Sequence, residues 1–410
     1  MSNKLPRTGA RLTTVAIAPH ILFFWIYNLI YYVPLLVIYI WGYSEGNAAN
    51  AIALDPHSLS AITILYVEGL IAFSFGSFLA STFQSRFLNE RRNWSSSARP
   101  HFGLAEKLTV LLIAAMFICA KAALVPLGVY NIYAFDTGEM TSGIWSFSMF
   151  CAECVLLMSI LVLFSGIRYN KSLFLVLSLL NGINLLHGTR IIFIVNVMVI
   201  IMYAYLRGSL TLRKMLIFGP VFFATVLGMT YAVFVSRSGA LGNELSVARV
   251  LSPIVYESLY SQISLRNVVN TPGIMNSTGA LPDFFVDVFS FITPRFLLPD
   301  KDNLLYLTRF VELSPLGAFN GYATGLIYFG VFWPIFYLIL GGLASFLYRK
   351  ARTNAYWLIF YVYFTADALF RFMRDGYVIP IKIIANIIEL IALLVMFNAL
   401  FKGLLRAKVS

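Results

Sequence analysis

The sequence predicts an all-α protein of the membrane, with about ten spanning helices and one large extramembrane loop. Three observations carry this. Hydrophobic residues make up 60% of the chain and charged residues 12%, roughly half the charged share of an average soluble domain. Apolar runs of about 20 residues, the length that crosses a bilayer, recur from end to end. Lys and Arg gather in short segments between alternate runs, which is how cytoplasmic loops are marked.

The first run, Val15 to Trp41, is too long for the core of a secretion signal and lacks a small-residue cleavage site, so it is expected to remain as a span. Leu59 to Ala80, Leu108 to Leu127 and Gly143 to Gly166 follow. Leu173 to Leu206 is too long for one span and divides at His187-Gly188-Thr189-Arg190 into a fifth and a sixth. Met215 to Val235 is the seventh. After the loop come Gly325 to Tyr348, Ala355 to Met373 and Tyr377 to Phe401. The chain thus divides into spans in 1–235, the loop in 236–324 and further spans in 325–410.

Most of the 30 basic residues lie in alternate segments: around Lys4, in Arg86 to Lys107, at Arg168 and Lys171, at Arg207 to Lys214, at Arg349 to Arg352, and after Phe401. By the positive-inside rule both termini are cytoplasmic. The loop, the His187–Arg190 hairpin and the Arg371–Asp375 turn then share the opposite face. The net charge of +12 belongs to these topology segments and not to a stacked, solvated basic surface, which argues against nucleic acid as a partner.

The loop carries Arg237, Arg249, Arg266, Arg295 and Arg309. Guanidinium forks bind phosphate or carboxylate in bidentate fashion, so the preference for Arg over Lys on this face fits anion recognition. Asn243 to Val269, as one or two helices bent at Pro253, and Pro282 to Ile292 show near-helical spacing. In the second, Phe284, Phe285, Val288, Phe289 and Ile292 oppose Asp283 and Asp287. Such helices either lie in the headgroup plane or cap the bundle. Thr293 to Pro299 holds Arg295 between two prolines that stiffen the backbone.

Glu68, Lys121, Glu153, Asp367, Lys382 and Glu389 fall within expected spans, where ionisable groups face inward and pair. Lys121 and Glu153 are the expected partners. Cys151 and Cys154 have C-x-x-C spacing without a second ligand pair, so no metal is expected there. Asp300-Lys301-Asp302 has the spacing of a metal-binding D-x-D, which in a polar segment after Pro299 is more often a turn. No zinc-protease, nucleophile-elbow, P-loop or dinucleotide motif is present.

Outward arginines interleaved with aromatic residues suit a lipid-linked pyrophosphate sugar: cations hold the leaving diphosphate and a carboxylate or His takes the acceptor proton. At this point His187-Gly-Thr-Arg190 resembles the Gly-Ser/Thr-Arg signature of the Wzy-type O-antigen polymerases and related ligases. Thr293-Pro-Arg-Phe-Leu-Leu-Pro299 is similar to the Pro-Arg segment of the polymerases, and Gly321 to Gly330 to the Gly-rich helix after their loop. The resemblance implies a GT-C-like bundle in a bacterial inner membrane, a large periplasmic loop, no cofactor and no metal. It implies polymerisation of undecaprenyl-pyrophosphate-linked oligosaccharide, with membrane lipid and a chain-length regulator protein as further partners. Arg190 and Arg295 would bind pyrophosphate, with Arg237 and Arg266 assigned from charge alone. The base candidates are His187, Glu257, Asp283 and Asp287. The ligases' His-Asn is replaced by Phe319-Asn320, which favours polymerase over ligase. A lipid-linked glycan transporter and a membrane acyltransferase are the other readings, and neither internal symmetry nor a placed catalytic His supports them.

Overall fold

A computed structural model describes residues 17–41, 56–87, 104–124, 139–186, 190–206, 261–293, 305–314 and 319–407, with isolated positions between them. The elements are α1 (Pro19–Trp41), α2 (Pro56–Phe87), α3 (Leu104–Leu124), α4 (Glu139–Leu186), α5 (Arg190–Leu206), α6 (261–270), α7 (Leu281–Ile292), a 3-10 segment (Tyr306–Leu313), α8 (Gly321–Phe329), α9 (Trp333–Ala351), α10 (Ala355–Tyr363), α11 (Leu369–Arg374) and α12 (Val378–Ala407). A 3-10 break, Gly330–Phe332, joins α8 to α9, and a π-helical turn, Phe364–Ala368, joins α10 to α11.

The expectation of about ten spans is corrected. Among the described residues five helices are long and apolar enough to cross a membrane: Pro19–Val37, Pro56–Thr82, Lys107–Leu124, Phe147–Phe164 and Gly321–Ala351. The chain is therefore a multi-pass membrane protein, with five such helices among its described residues. Among the described residues, 172–184, which lies within α4, and 191–206 are further apolar helical stretches of fewer than 18 residues. The expected span from Ala355 is cut by the π turn. Met215 to Val235 lies almost wholly outside the described residues.

α4 is one continuous helical stretch of 48 residues, yet Asn181 Nδ2 donates to Ser159 Oγ at 3.1 Å. In a straight helix the intervening residues would extend about 33 Å. The chain must double back between them, near the Arg168–Lys171 segment that the sequence marks as a turn.

The tightest packing joins α2 to α9. A Cβ on Gly76 would lie 1.9 Å from the Leu338 carbonyl oxygen, and one on Gly341 2.0 Å from that of Phe73. Glycine on both helices lets the backbones touch, which in a lipid setting replaces the missing hydrophobic drive with dispersion contacts. Phe24 of α1 stacks on Phe73 at 4.0 Å between ring centroids. α3 packs on α4 and α12, and α5 on α4 and the π turn.

The segment before α7 is sewn to the bundle at the α8–α9 break. Ala280 donates its N–H to Tyr328 O and Val331 its N–H to Ser277 O, at 2.8 and 3.0 Å. Gly330 has φ 52°, and a Cβ there would lie 2.0 Å from Ser277 O. Only glycine meets both demands.

Candidate functional site

Among the described residues, the largest buried charge cluster lies where α4 meets the π turn. A π turn skips the regular i→i−4 pattern and leaves carbonyls in need of donors. Here the Tyr27 hydroxyl of α1 points at Thr365 O and Ala366 O, at 3.2 and 3.0 Å. The widened turn sets Asp367 and Arg371 one helical step apart, and Arg371 Nε donates to Asp367 Oδ1 at 2.6 Å. Arg371 Nη2 reaches across to Glu153 Oε1 at 2.9 Å, and the Tyr363 hydroxyl donates to Glu153 Oε2. Asp367 is fully buried and the Arg371 side chain is 9% exposed.

One guanidinium thus serves two carboxylates. Asp367 Oδ2 has no hydrogen-bond partner, so the cluster keeps unused acceptor capacity. A desolvated ion pair stays intact only when each charge is answered, and removing one partner costs about 3 to 5 kcal/mol. The sequence reading paired Glu153 with Lys121. The structure corrects this: the Glu153 oxygens face Arg371 and Tyr363. Lys121 lies over the Phe117 ring, 5.5 Å from its centroid.

A second polar layer, adjoining the first through Phe370, docks α6 and the start of α8 against α1 and α2. Phe370, next to Arg371, packs against Tyr27 and Tyr31 at 5.3 and 6.0 Å. Gln262 of α6 donates to Tyr31 O at 3.0 Å and to the Tyr66 hydroxyl. Asn320 donates its N–H to Ser264 Oγ at 2.9 Å and accepts from Tyr322 N at 2.8 Å, capping α8. The Tyr322 hydroxyl donates to Asn28 Oδ1, and Asn28 Nδ2 to Phe24 O. Gln262, Ser264, Asn320, Tyr322 and Asn28 are at most 1% exposed, and Tyr31, Tyr66 and Phe370 are 2%, 3% and 5% exposed. Hydrogen bonds in such a dry layer are costly to break, because a buried group left unpaired forfeits its hydration as well.

The residues picked out from sequence take different places. Asp287 is fully buried, and its oxygens accept from Tyr306 N at 2.6 Å, Leu307 N at 3.1 Å and the Tyr328 hydroxyl. It anchors the 3-10 segment to α7 and α8. Asp283 is half-buried in the first turn of α7, where the helix dipole favours a carboxylate. Arg266 is half-buried, and its Nη2 donates to Asn267 Oδ1 at 3.1 Å. Arg190 opens α5; its side chain, together with His187, Arg237, Glu257, Arg295 and the Asp300/Asp302 pair, lies outside the described residues. Cys151 and Cys154 are buried free thiols.

The Glu153–Asp367–Arg371 cluster was only partly visible in the sequence. The i, i+4 spacing of Asp367 and Arg371 in an apolar run was its available signal. Nothing local to either segment marks Glu153 as their partner, because that contact spans 218 positions. Elsewhere, His20 is buried between the Tyr361 hydroxyl and Ser77 Oγ, at 3.0 and 2.8 Å, near the opposite end of α1. No family model matches the chain, nor does any curated protein or solved structure, so the expected GT-C-like architecture has no support from them.

Proposed function

We propose that this protein is a membrane glycosyltransferase that polymerises undecaprenyl-pyrophosphate-linked oligosaccharide, at the non-cytoplasmic face of a bacterial inner membrane. The observation that carries the reading is the contact between two layers. A segment bearing Arg266 and Arg309 is docked through Gln262, Ser264, Asn320 and Asp287, and the Glu153–Asp367–Arg371 cluster adjoins that layer through Phe370.

In this reading the acceptor sugar hydroxyl attacks the anomeric carbon of the donor chain. The bond from that carbon to the pyrophosphate oxygen breaks, the diphosphate leaves with its lipid, and the hydroxyl proton passes to a base. Charge developing on the leaving group is what cations stabilise. We assign that role to Arg190 and Arg295, with Arg237 and Arg266 adding positive potential. Arg371 is committed to two carboxylates. It therefore positions the floor of the site rather than holding the diphosphate.

Purified protein supplied with one lipid-linked repeat unit should yield a ladder of chain lengths. Arg190→Ala and Arg295→Ala should abolish the ladder while the protein remains in the membrane fraction at wild-type amount. A normal ladder from both variants overturns the assignment. A second reading, transport of a lipid-linked glycan, draws on the ionised cluster at an interrupted helix. Lipid-linked substrate crossing protein-containing vesicles unchanged, with no ladder, would select it.

A further inference from the structure

α7 is amphipathic in the reverse sense to a helix on a soluble surface. Its polar residues Asp287 and Ser290 are buried, while Phe285 and Phe289 are 62% and 66% exposed. Leu281, Val286 and Ile292 are exposed beside them. Rotation cannot relieve this, because Asp287 is held by two backbone N–H groups and the Tyr328 hydroxyl.

The depth of the helix follows from where it is fastened. Its start is bonded to the α8–α9 break through Ala280–Tyr328 and Ser277–Val331, and the Phe284 ring packs on Phe329 and Phe336 at 5.2 and 6.4 Å. The other end of α9 carries Arg349 and Lys350. From Arg349 back to Gly330 is about 29 Å at 1.5 Å per residue, and a bilayer's hydrocarbon is about 30 Å thick. With Arg349 at one boundary, the break and α7 sit at the other.

The span that α7 is fastened to carries an exposed apolar stripe of its own. Val331, Phe332, Ile335 and Ile339 recur there at helical spacing, each at least half exposed. On the other side α12 packs against α7. Lys382 Nζ lies 5.7 Å from the Phe291 ring centroid.

We propose that α7 is a lipid-embedded helix: its Phe285/Phe289 face lies among acyl chains at the hydrocarbon boundary opposite Arg349, and its polar face is clamped to the protein. This fixes the height of the extramembrane segment over the bundle. It rests only on the chain being membrane-embedded, not on the glycosyltransferase reading.

The test places the photoreactive residue p-benzoylphenylalanine at position 289 of the full-length chain in cell membranes, with position 339 on the span as the reference. After irradiation, phospholipid adducts at 289 should reach at least half the yield seen at 339. Crosslinks from 289 mainly to a second copy or another polypeptide overturn the proposal. So does an absence of lipid adducts at 289 while 339 gives them. Depth is read independently from Phe289→Trp in vesicles of brominated lipid, as the quenching gained over the wild-type background. Bromines near the headgroup should quench the added tryptophan more strongly than bromines near the chain ends, and the reverse order places the helix wrongly.

Discussion

Asp287→Ala is the sharpest test of how the extramembrane segment is held. The wild-type carboxylate accepts from Tyr306 N, Leu307 N and the Tyr328 hydroxyl inside a fully buried setting. Hydrogen bonds to a charged acceptor contribute about 1.5 to 3 kcal/mol each, and the set is not additive. A loss of about 3 to 5 kcal/mol from the docked state is therefore expected. At 1.4 kcal/mol per tenfold, 3 kcal/mol raises the open population of the segment by roughly 150-fold. Limited proteolysis between residues 293 and 320 reads that population when closing outpaces cleavage. Asp287→Asn is expected to rescue little, because its amide nitrogen would face a donor. The assay also separates anchor from base: loss of activity in Asp287→Asn with cleavage unchanged would make Asp287 a catalytic group. Unchanged proteolysis in Asp287→Ala would refute the anchoring role outright.

Three further outcomes are expected. Arg371→Ala strands two buried carboxylates and should cost about 3 to 5 kcal/mol, seen as a lowered thermal midpoint in detergent. The triple change Glu153→Gln, Asp367→Asn, Arg371→Leu removes the charges together and should recover much of that loss; no recovery would show that the cluster is not electrostatically coupled. Gly330→Ala combines φ 52° with a Cβ 2.0 Å from Ser277 O. It should destabilise by more than about 1 kcal/mol, and a wild-type midpoint would sink the close-approach argument. Gln262→Ala removes donors to Tyr31 O and the Tyr66 hydroxyl and should cost about 1 to 3 kcal/mol, with proteolysis of residues 261–270 rising while the α2–α9 packing holds.

Membrane class and helix content were legible because each is a property of one segment at a time. Composition and run length are local, and so is the alternation of basic clusters. The count of spans failed for a physical reason: hydropathy registers how apolar a stretch is but not whether its helix is straight. The stretch from Ala355 is interrupted by a π turn whose carbonyls Tyr27 satisfies from over three hundred positions away. Within the 172–184 and 191–206 segments Asn181, Val195 and Val199 are buried, sheltered by neighbouring helices as well as by any bilayer.

Pairing was the least legible property, and the two acids show why. Asp287 was picked out because it lies opposite a phenylalanine face, a pattern that suits a solvated carboxylate. The fold inverts that expectation by making the phenylalanine face the outer one, so the carboxylate turns inward. Sequence amphipathicity fixes which residues share a face but not which medium that face meets. Glu153 is the complementary case. Its charge in a span demanded a partner, and Lys121 was the cation nearest along the chain on a neighbouring span. What decided the matter was the widened turn at Phe364–Ala368, which seats Asp367 and Arg371 opposite α4. One irregular turn, supported by one tyrosine hydroxyl, thus determines which charges meet beside the docked segment. On that logic Tyr27→Phe, which leaves the Thr365 and Ala366 carbonyls without that donor, should loosen the Arg371–Glu153 contact without touching either residue. Fourier-transform infrared difference spectra of the carboxylate band would reveal it, and an unaltered band would show that the π turn holds its shape without Tyr27.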